Sequence, residues 1–377
     1  MNRRQFSQVL AGAAALGAVY PVVGGTTPAA EHPPGLSDAA RRLYASALVL
    51  DCNSSPPLPE RLPLSPADLD LVRGSGINVI KLSLGGINSD FAHTVASIAQ
   101  VQQLIELHPE YFTAVRNGVD MGRAKRESKL GIILSFESVE MLGGQLTALE
   151  VFRNLGVRVM QLSYNRTSPF AAGVMEPKGG GLTALGHEAV REMNRLGIAI
   201  DLSHANPATT TDVLAFSTRP PVMTHAGCAA LHVHPRNKSD EQLRALAAKG
   251  GVVGIYDLPY LTASPRQPTV DDYMAHLAHA LQVAGEDHVG VGSDADIAPF
   301  DTSAAGMAEF SRNIEERRAA GLSAPEEDRP TYVIGLNEPR RMEIIADRLL
   351  KLGYSASATE KVLGANFART FTQIWGS

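Results

Sequence analysis

Beyond Glu31 the chain alternates between two hydrophobic periods. Short apolar runs of β type fall at Ser46–Asp51, Ile77–Ser83, Gly131–Glu137, Val157–Ser163, Gly197–Asp201, Pro221–Thr224, Gly251–Tyr256 and Val289–Asp294. Between them the spacing turns helical, at Ala92–Leu107, Gln145–Asn154, Thr183–Leu196, Ala208–Phe216, Asp240–Ala248 and Val270–Val283. Strands flanked by helices on both sides predict parallel pairing under a helical coat. Eight such strands over roughly 250 residues predict an α/β fold, a TIM-type (β/α)8 barrel. A doubly wound dinucleotide fold fits worse. The first strand runs into CNSSPPLPERLPL, where prolines stand in place of the free N–H groups of a phosphate loop.

Two helices close the chain. Pro339–Leu352 follows Asn337 as its N-cap, and a second helix opens at a Ser357-x-x-Glu360 capping box and runs to Phe371. The polar, turn-rich segment Gly321–Arg329 predicts a surface loop before them. With no internal repeat or linker, residues 31–377 read as one domain, a barrel with additional C-terminal helices.

Composition changes this picture mainly at the N-terminus. Arg3, Arg4 and Phe6 precede an uncharged apolar run from Val9 to Val23, followed by small residues at Thr27–Ala30. That order is the one found in secretory signals, and the arginine pair resembles a twin-arginine export signal over residues 1–30. The expected partner is the twin-arginine export machinery and the expected location is periplasmic or otherwise exported. The full chain of 377 residues carries a formal charge of −5; without the two arginines of that segment, 32 basic against 39 acidic residues leave −7. Such a balance argues against nucleic-acid binding, which draws on an excess of positive charge. Cys52 and Cys228 are the only cysteines, too few for a disulfide scaffold or a thiolate zinc site.

In a barrel of this type the chemistry gathers where strand C-termini feed the upper loops. The polar residues at those ends are Asp51, Asn53, Ser55, Glu137, Tyr164, Asn165, Asp201, His204, His225, Asp294 and Asp296. A carboxylate and two histidines from three strand ends match the ligand types of a zinc site that keeps a position open for water. Taken singly, each of the 11 histidines is as well explained as a surface or core residue. A strand-end acid is equally a helix cap or ion-pair partner.

At these residues the chain resembles the renal or membrane dipeptidase family, metallopeptidase family M19 of the amidohydrolase superfamily. The resemblance runs from about Leu48 to Phe371 in several ordered blocks: GIILSFESVE (131–140), GLTALGHEAVREMNRLGIAIDLSH (181–204), PVMTHAGCAALHVHPRN (221–237), VGVGSDAD (289–296) and GYSASATEKVLGANFARTF (353–371). It implies Glu137, His204 and His225 as metal ligands, Asp294 as the catalytic aspartate, and Arg236 as the residue holding a substrate carboxylate. It also implies a homodimer. The chain departs from the family where the first strand ends. The family pattern is Asp-Gly-His-x-Asp, whereas Asp51–Ser55 reads DCNSS, so Asn53 and Ser55 stand at two ligands of the first metal. LSYN (162–165) likewise places Tyr164 where the family has a substrate-contacting histidine.

An amide or hydroxyl oxygen is a poor zinc ligand beside imidazole and carboxylate. The expectation is therefore one Zn2+ per chain, with other divalent metals able to use the same ligands. Asn53, Ser55, Tyr164 and Arg236 would then contact substrate. The expected activity is metal-dependent hydrolysis of a dipeptide or related small amide with a free carboxylate. Two other readings stay open at this point: an exported enzyme tailoring a peptide-like metabolite, and a catalytically inactive binding protein.

Overall fold

The computed structural model describes residues 32–58, 62–85 and 89–376; the export signal expected over residues 1–30 lies outside them. Among the described residues there are ten strands: β1 (Leu50–Asp51), β2 (Val79–Ser83), β3 (Phe112–Ala114), β4 (Leu130–Phe136), β5 (Val157–Met160), β6 (Ala199–Ile200), β7 (Met223–Cys228), β8 (Asn237–Lys238), β9 (Val253–Ile255) and β10 (Val289–Val291). Every ladder is parallel. The paired path runs β6-β5-β4-β2-β1-β10-β9-β7-β8, with β3 beside the start of β4. Its two arms meet at one parallel bridge, Asp201 to Val222, where Leu202 N donates to Val222 O at 2.7 Å and Val222 N to Ile200 O at 2.9 Å. Each of the eight apolar runs read from the sequence overlaps one of these strands.

Alternation along β2 shows how the barrel is filled. Ile80 and Leu82 join the outer core beneath the helices, while Val79 belongs to an inner cluster with Leu50, Ile133, Val159, Ala199, Val222 and Val252. Residues two apart on a strand share a face, so Lys81 and Ser83 follow Val79 on the inner face. The same inner cluster takes Phe367, Phe371 and Ile374 from the last helix, Asn366–Trp375. That helix covers the end of the barrel where the strands begin. The opposite end, where the strands finish, carries the polar residues.

Six strands and α-helices among the described residues escape the sequence pattern. Strands β3 and β8 have three and two residues. Helices Asp38–Ser46, Pro66–Ser75 and Gly118–Arg126 are short, and Ala304–Ala319 buries only Gly306, Phe310 and Ile314. Two expected caps are placed differently. Asn337 holds Phe300 instead, accepting from its N–H at 2.7 Å and donating to its carbonyl at 3.0 Å. Ser355 rather than Ser357 caps the following helix, accepting from Ala358 N at 3.0 Å. The tail is also not one continuous helix: a π-turn over Lys361–Ala365 interrupts it, where Gly364 lets the chain approach the Leu48 carbonyl. Among the described residues no helix is long and apolar enough to cross a membrane.

Candidate metal centre and active site

The expected ligands converge from three strands. Glu137 follows β4 directly, His204 lies just beyond β6, and His225 sits inside β7. A register shift between Met223 and Ala226 puts Thr224 and His225 out of line with β9. Glycines make room for it, because a Cβ on Gly254 or Gly292 would meet the Thr224 carbonyl oxygen at 2.2 or 1.8 Å. Ligand atoms of Glu137, His225 and Asp294 all lie within 4.8 Å of one another, and His225 Nε2 is 3.9 Å from Glu137 Oε1 and 4.0 Å from Asp294 Oδ2.

Hydrogen bonding fixes the tautomers of both histidines. Asn165 Nδ2 donates to Leu322 O at 2.7 Å, so its Oδ1 is the atom facing His204 Nδ1 at 3.0 Å. Nδ1 must therefore carry the proton. Thr224 Oγ1 donates to Asp201 Oδ2 at 2.5 Å and so accepts from His225 Nδ1 at 2.9 Å. Burial, together with the nearby Arg236 charge, holds both imidazoles well below the usual histidine range, so both are neutral. Their Nε2 lone pairs consequently face each other at 3.2 Å. A cation turns that repulsive contact into a favourable one. These residues fit a divalent metal: Glu137, His225 and Asp294 offer ligand atoms close enough to share one ion, and His204 Nε2 stands against His225 Nε2.

Asn53 occupies the side of the centre where the family pattern has a histidine. Its Nδ2 donates to Asp294 Oδ1 at 2.6 Å and to Glu137 Oε1 at 3.1 Å. The amide thus presents N–H groups, not a ligand atom, to both carboxylates. Ser55 is not brought into this cluster, since its hydroxyl donates to Pro56 O at 2.8 Å. Asp294 adopts a left-handed φ of 56°, and its N–H donates to Asn53 O at 2.8 Å. Burial, and then the neighbouring Glu137 charge, push the Asp294 carboxyl up to about 7. Asp51 is braced out of the centre by Ser293, whose N–H and hydroxyl donate to it at 2.8 and 2.6 Å.

Tyr164 stacks on His204 with ring centroids 3.9 Å apart at 20°, and burial pushes its phenol up to about 12, so it stays an O–H donor. Arg317, on the helix Ala304–Ala319, hydrogen-bonds the side chains of both Tyr164 and Glu327. Segment 321–329 is not the free surface loop expected. Glu327 and Arg329 are buried, and the segment spans the centre from Asn165 at Leu322 to His234 at Pro325, whose carbonyl lies 2.9 Å from His234 Nε2. Arg236 is 4% exposed, yet its Nε and Nη2 have no hydrogen-bond partner. Two buried guanidinium donors without acceptors form a ready carboxylate site.

Sequence reasoning passed over the residues behind the ligands: Lys81, Ser83, Thr224 and Arg317. A lysine inside the apolar run INVIKLS was the visible signal for the first of these.

The fold and this constellation define a metal-dependent α/β barrel with its centre at the strand C-termini. The family model described as membrane dipeptidase (Peptidase family M19) matches residues 71–315, and the chain belongs to that family. It is similar to dipeptidase tcpJ of Claviceps purpurea, 28% identical over 74% of this chain and 60% of that one. It is also similar to dipeptidase verJ of Clonostachys rogersoniana, 29% identical over 69% of this chain and 66% of the relative. The chain thus spans less than two thirds of the length of either curated relative. Among solved structures, an amidohydrolase from Pseudomonas aeruginosa superposes with a TM-score of 0.77 at 27% identity, covering 90% of this chain and 99% of that one. Membership in a metallopeptidase family agrees with the divalent metal that the facing imidazoles call for.

Proposed function

We propose that the protein is a metal-dependent hydrolase of a dipeptide or related small amide bearing a free carboxylate, working with one ion per chain. The observation that carries this reading is the pair of buried, neutral imidazoles whose Nε2 atoms face each other 3.2 Å apart beside Glu137 and Asp294. A bound divalent ion, zinc by donor type, acidifies a water and polarises a carbonyl.

The chain's own residues supply the rest. Arg236 takes the substrate carboxylate on Nε and Nη2, fixing the amide over the centre. Asp294, with its carboxyl raised to about 7, accepts a proton from the attacking water and returns it to the leaving amine. Tyr164 donates its O–H toward the oxygen on which negative charge develops. Segment 321–329, tied to Asn165 at Leu322 and to His234 at Pro325, would close one side of the site and favour a small substrate. In this reading the protein is exported by the twin-arginine route, acts in the periplasm or outside it, and works as a homodimer.

The test pairs metal content with turnover. Purified protein is expected to carry one ion per chain and to hydrolyse members of a dipeptide panel, with turnover lost on chelation. His204→Ala should lose both metal and activity. Activity lost with the metal retained would remove His204 from the ligand set, and two ions per chain would refute the one-ion centre.

A further inference from the structure

Lys81 is a fully buried lysine on the inner face of the barrel, a placement that is rare unless the charge has a partner or a task. The nearest carboxylate oxygen, Asp201 Oδ2, is 4.0 Å from Nζ. Asp201 does not need that charge. It already accepts from Gln161 Nε2 at 3.0 Å, Ser203 N at 3.0 Å, Ser203 Oγ at 2.6 Å, Thr224 N at 3.0 Å and Thr224 Oγ1 at 2.5 Å. Five donors already fill the roughly four lone-pair positions of a carboxylate.

The direct bond of Lys81 goes elsewhere, from Nζ to Ser83 Oγ at 3.0 Å. Ser83 Oγ in turn lies 3.2 Å from Glu137 Oε1, 3.1 Å from Ser135 Oγ and 3.4 Å from Asn53 Oδ1. Ser135 uses its own proton on Leu82 O at 3.0 Å, so it can only accept from Ser83, and of the acceptors within reach of the Ser83 proton the Glu137 carboxylate is the charged and stronger one. The Lys81 charge is therefore relayed to the same Glu137 oxygen that Asn53 Nδ2 contacts. Asn53 Nδ2 also binds Asp294. On this side, positive charge and N–H groups from the protein meet two carboxylates that elsewhere would draw in an ion.

We propose that Lys81, acting through Ser83 and alongside the Asn53 amide, is a positioning residue that stands in for a second cation, making the centre a one-ion site whose metal affinity Lys81 holds down. The inference rests on the reading of Glu137, His204 and His225 as metal ligands. A fixed cation near a second one repels it, so removing it must tighten metal binding, whereas a lysine serving only as packing would weaken binding or leave it unchanged.

The experiment titrates Zn2+ into chelator-treated full-length protein by calorimetry, with elemental analysis for stoichiometry. Wild type should bind one ion. Lys81→Met and Lys81→Gln should each bind it at least about tenfold more tightly. Lys81→Arg, which keeps the charge, should match wild type. Asn53→Asp, which turns a donor into a ligand, should still bind one ion while Lys81 is present and two when combined with Lys81→Met. Folding of each variant is checked by circular dichroism, and the glutamine variant retains a donor to Ser83 if methionine disturbs the wall. Unchanged or weaker affinity in both neutral variants overturns the inference and leaves the one-ion reading standing. Wild type binding two ions or none overturns that reading, and the inference with it.

Discussion

Thr224→Val removes one oxygen and leaves the shape of the side chain almost unchanged. In the wild type that oxygen accepts from His225 Nδ1 at 2.9 Å and donates to Asp201 Oδ2 at 2.5 Å. It fixes the tautomer that leaves Nε2 free for metal. Valine leaves the Nδ1 proton buried without an acceptor and frees the ring to rotate. Losses of such outer partners lower metal affinity by roughly 10–100-fold, or about 1.4–2.7 kcal/mol. The metal-free protein should lose less. Asp201 keeps Ser203 N, Ser203 Oγ, Thr224 N and Gln161 as donors, so the cost falls near about 1–2 kcal/mol. Zn2+ competition against a chromophoric chelator reads the first number, and urea denaturation of the metal-free protein reads the second. Thr224→Ser, which keeps the hydroxyl, should restore most of the affinity. A valine variant binding Zn2+ within about threefold of wild type would refute the assigned tautomer and His225 as a ligand.

Two further outcomes follow, one from a buried carboxyl and one from a close backbone approach behind His225. Asp257 is 2% exposed, its Oδ1 has no hydrogen-bond partner, and Arg341 Nε stands 3.9 Å from Oδ2; burial raises its carboxyl from 3.8 to about 8. A folded-state value above the unfolded one gives stability that is whole below about pH 4 and is lost as pH rises through about 8. Asp257→Asn should flatten this fall, gaining on wild type by up to about 1.4 kcal/mol per pH unit within that window; parallel urea-melt curves from pH 5 to pH 9 would contradict the protonated state. Gly292→Ala forces a Cβ to 1.8 Å from the Thr224 carbonyl oxygen, which is backbone and cannot swing aside. It should cost roughly 3 kcal/mol in thermal or urea melts and weaken Zn2+ binding through His225; a variant with wild-type stability would show that the β7 irregularity tolerates a side chain.

The barrel was legible because its central strands are buried on both faces and so read as continuous apolar runs. The elements that were missed have a matching cause. Two- and three-residue strands carry too few positions to set a period, and Ala304–Ala319 buries only three residues. The candidate site residues were read from their blocks; Glu137, His225 and Asp294 lie within 4.8 Å of one another, and His204, expected as a ligand with Glu137 and His225, stands against His225. Ser55 was expected beside them and instead bonds within its own loop. The Gly321–Arg329 segment looked like solvent-facing chain because it is polar, but its buried charges are paired, Glu327 with Arg317 and Arg329 with Glu326. Polarity alone does not distinguish a solvated loop from a paired, covered one.

By itself the sequence determined the α/β order, the family, the candidate ligands and the loss of the histidine and aspartate expected after the first strand. Only the tertiary structure decided what took their place. Asn53 meets Glu137 across 84 positions of sequence and Asp294 across 241, and Lys81 reaches Glu137 only through Ser83. Which nitrogen of each histidine is free, and which oxygen each donor meets, depends on hydrogen bonds closed between distant strands. Residue identity limits what a side chain can donate or accept, while the barrel decides which partner stands within 3 Å of it.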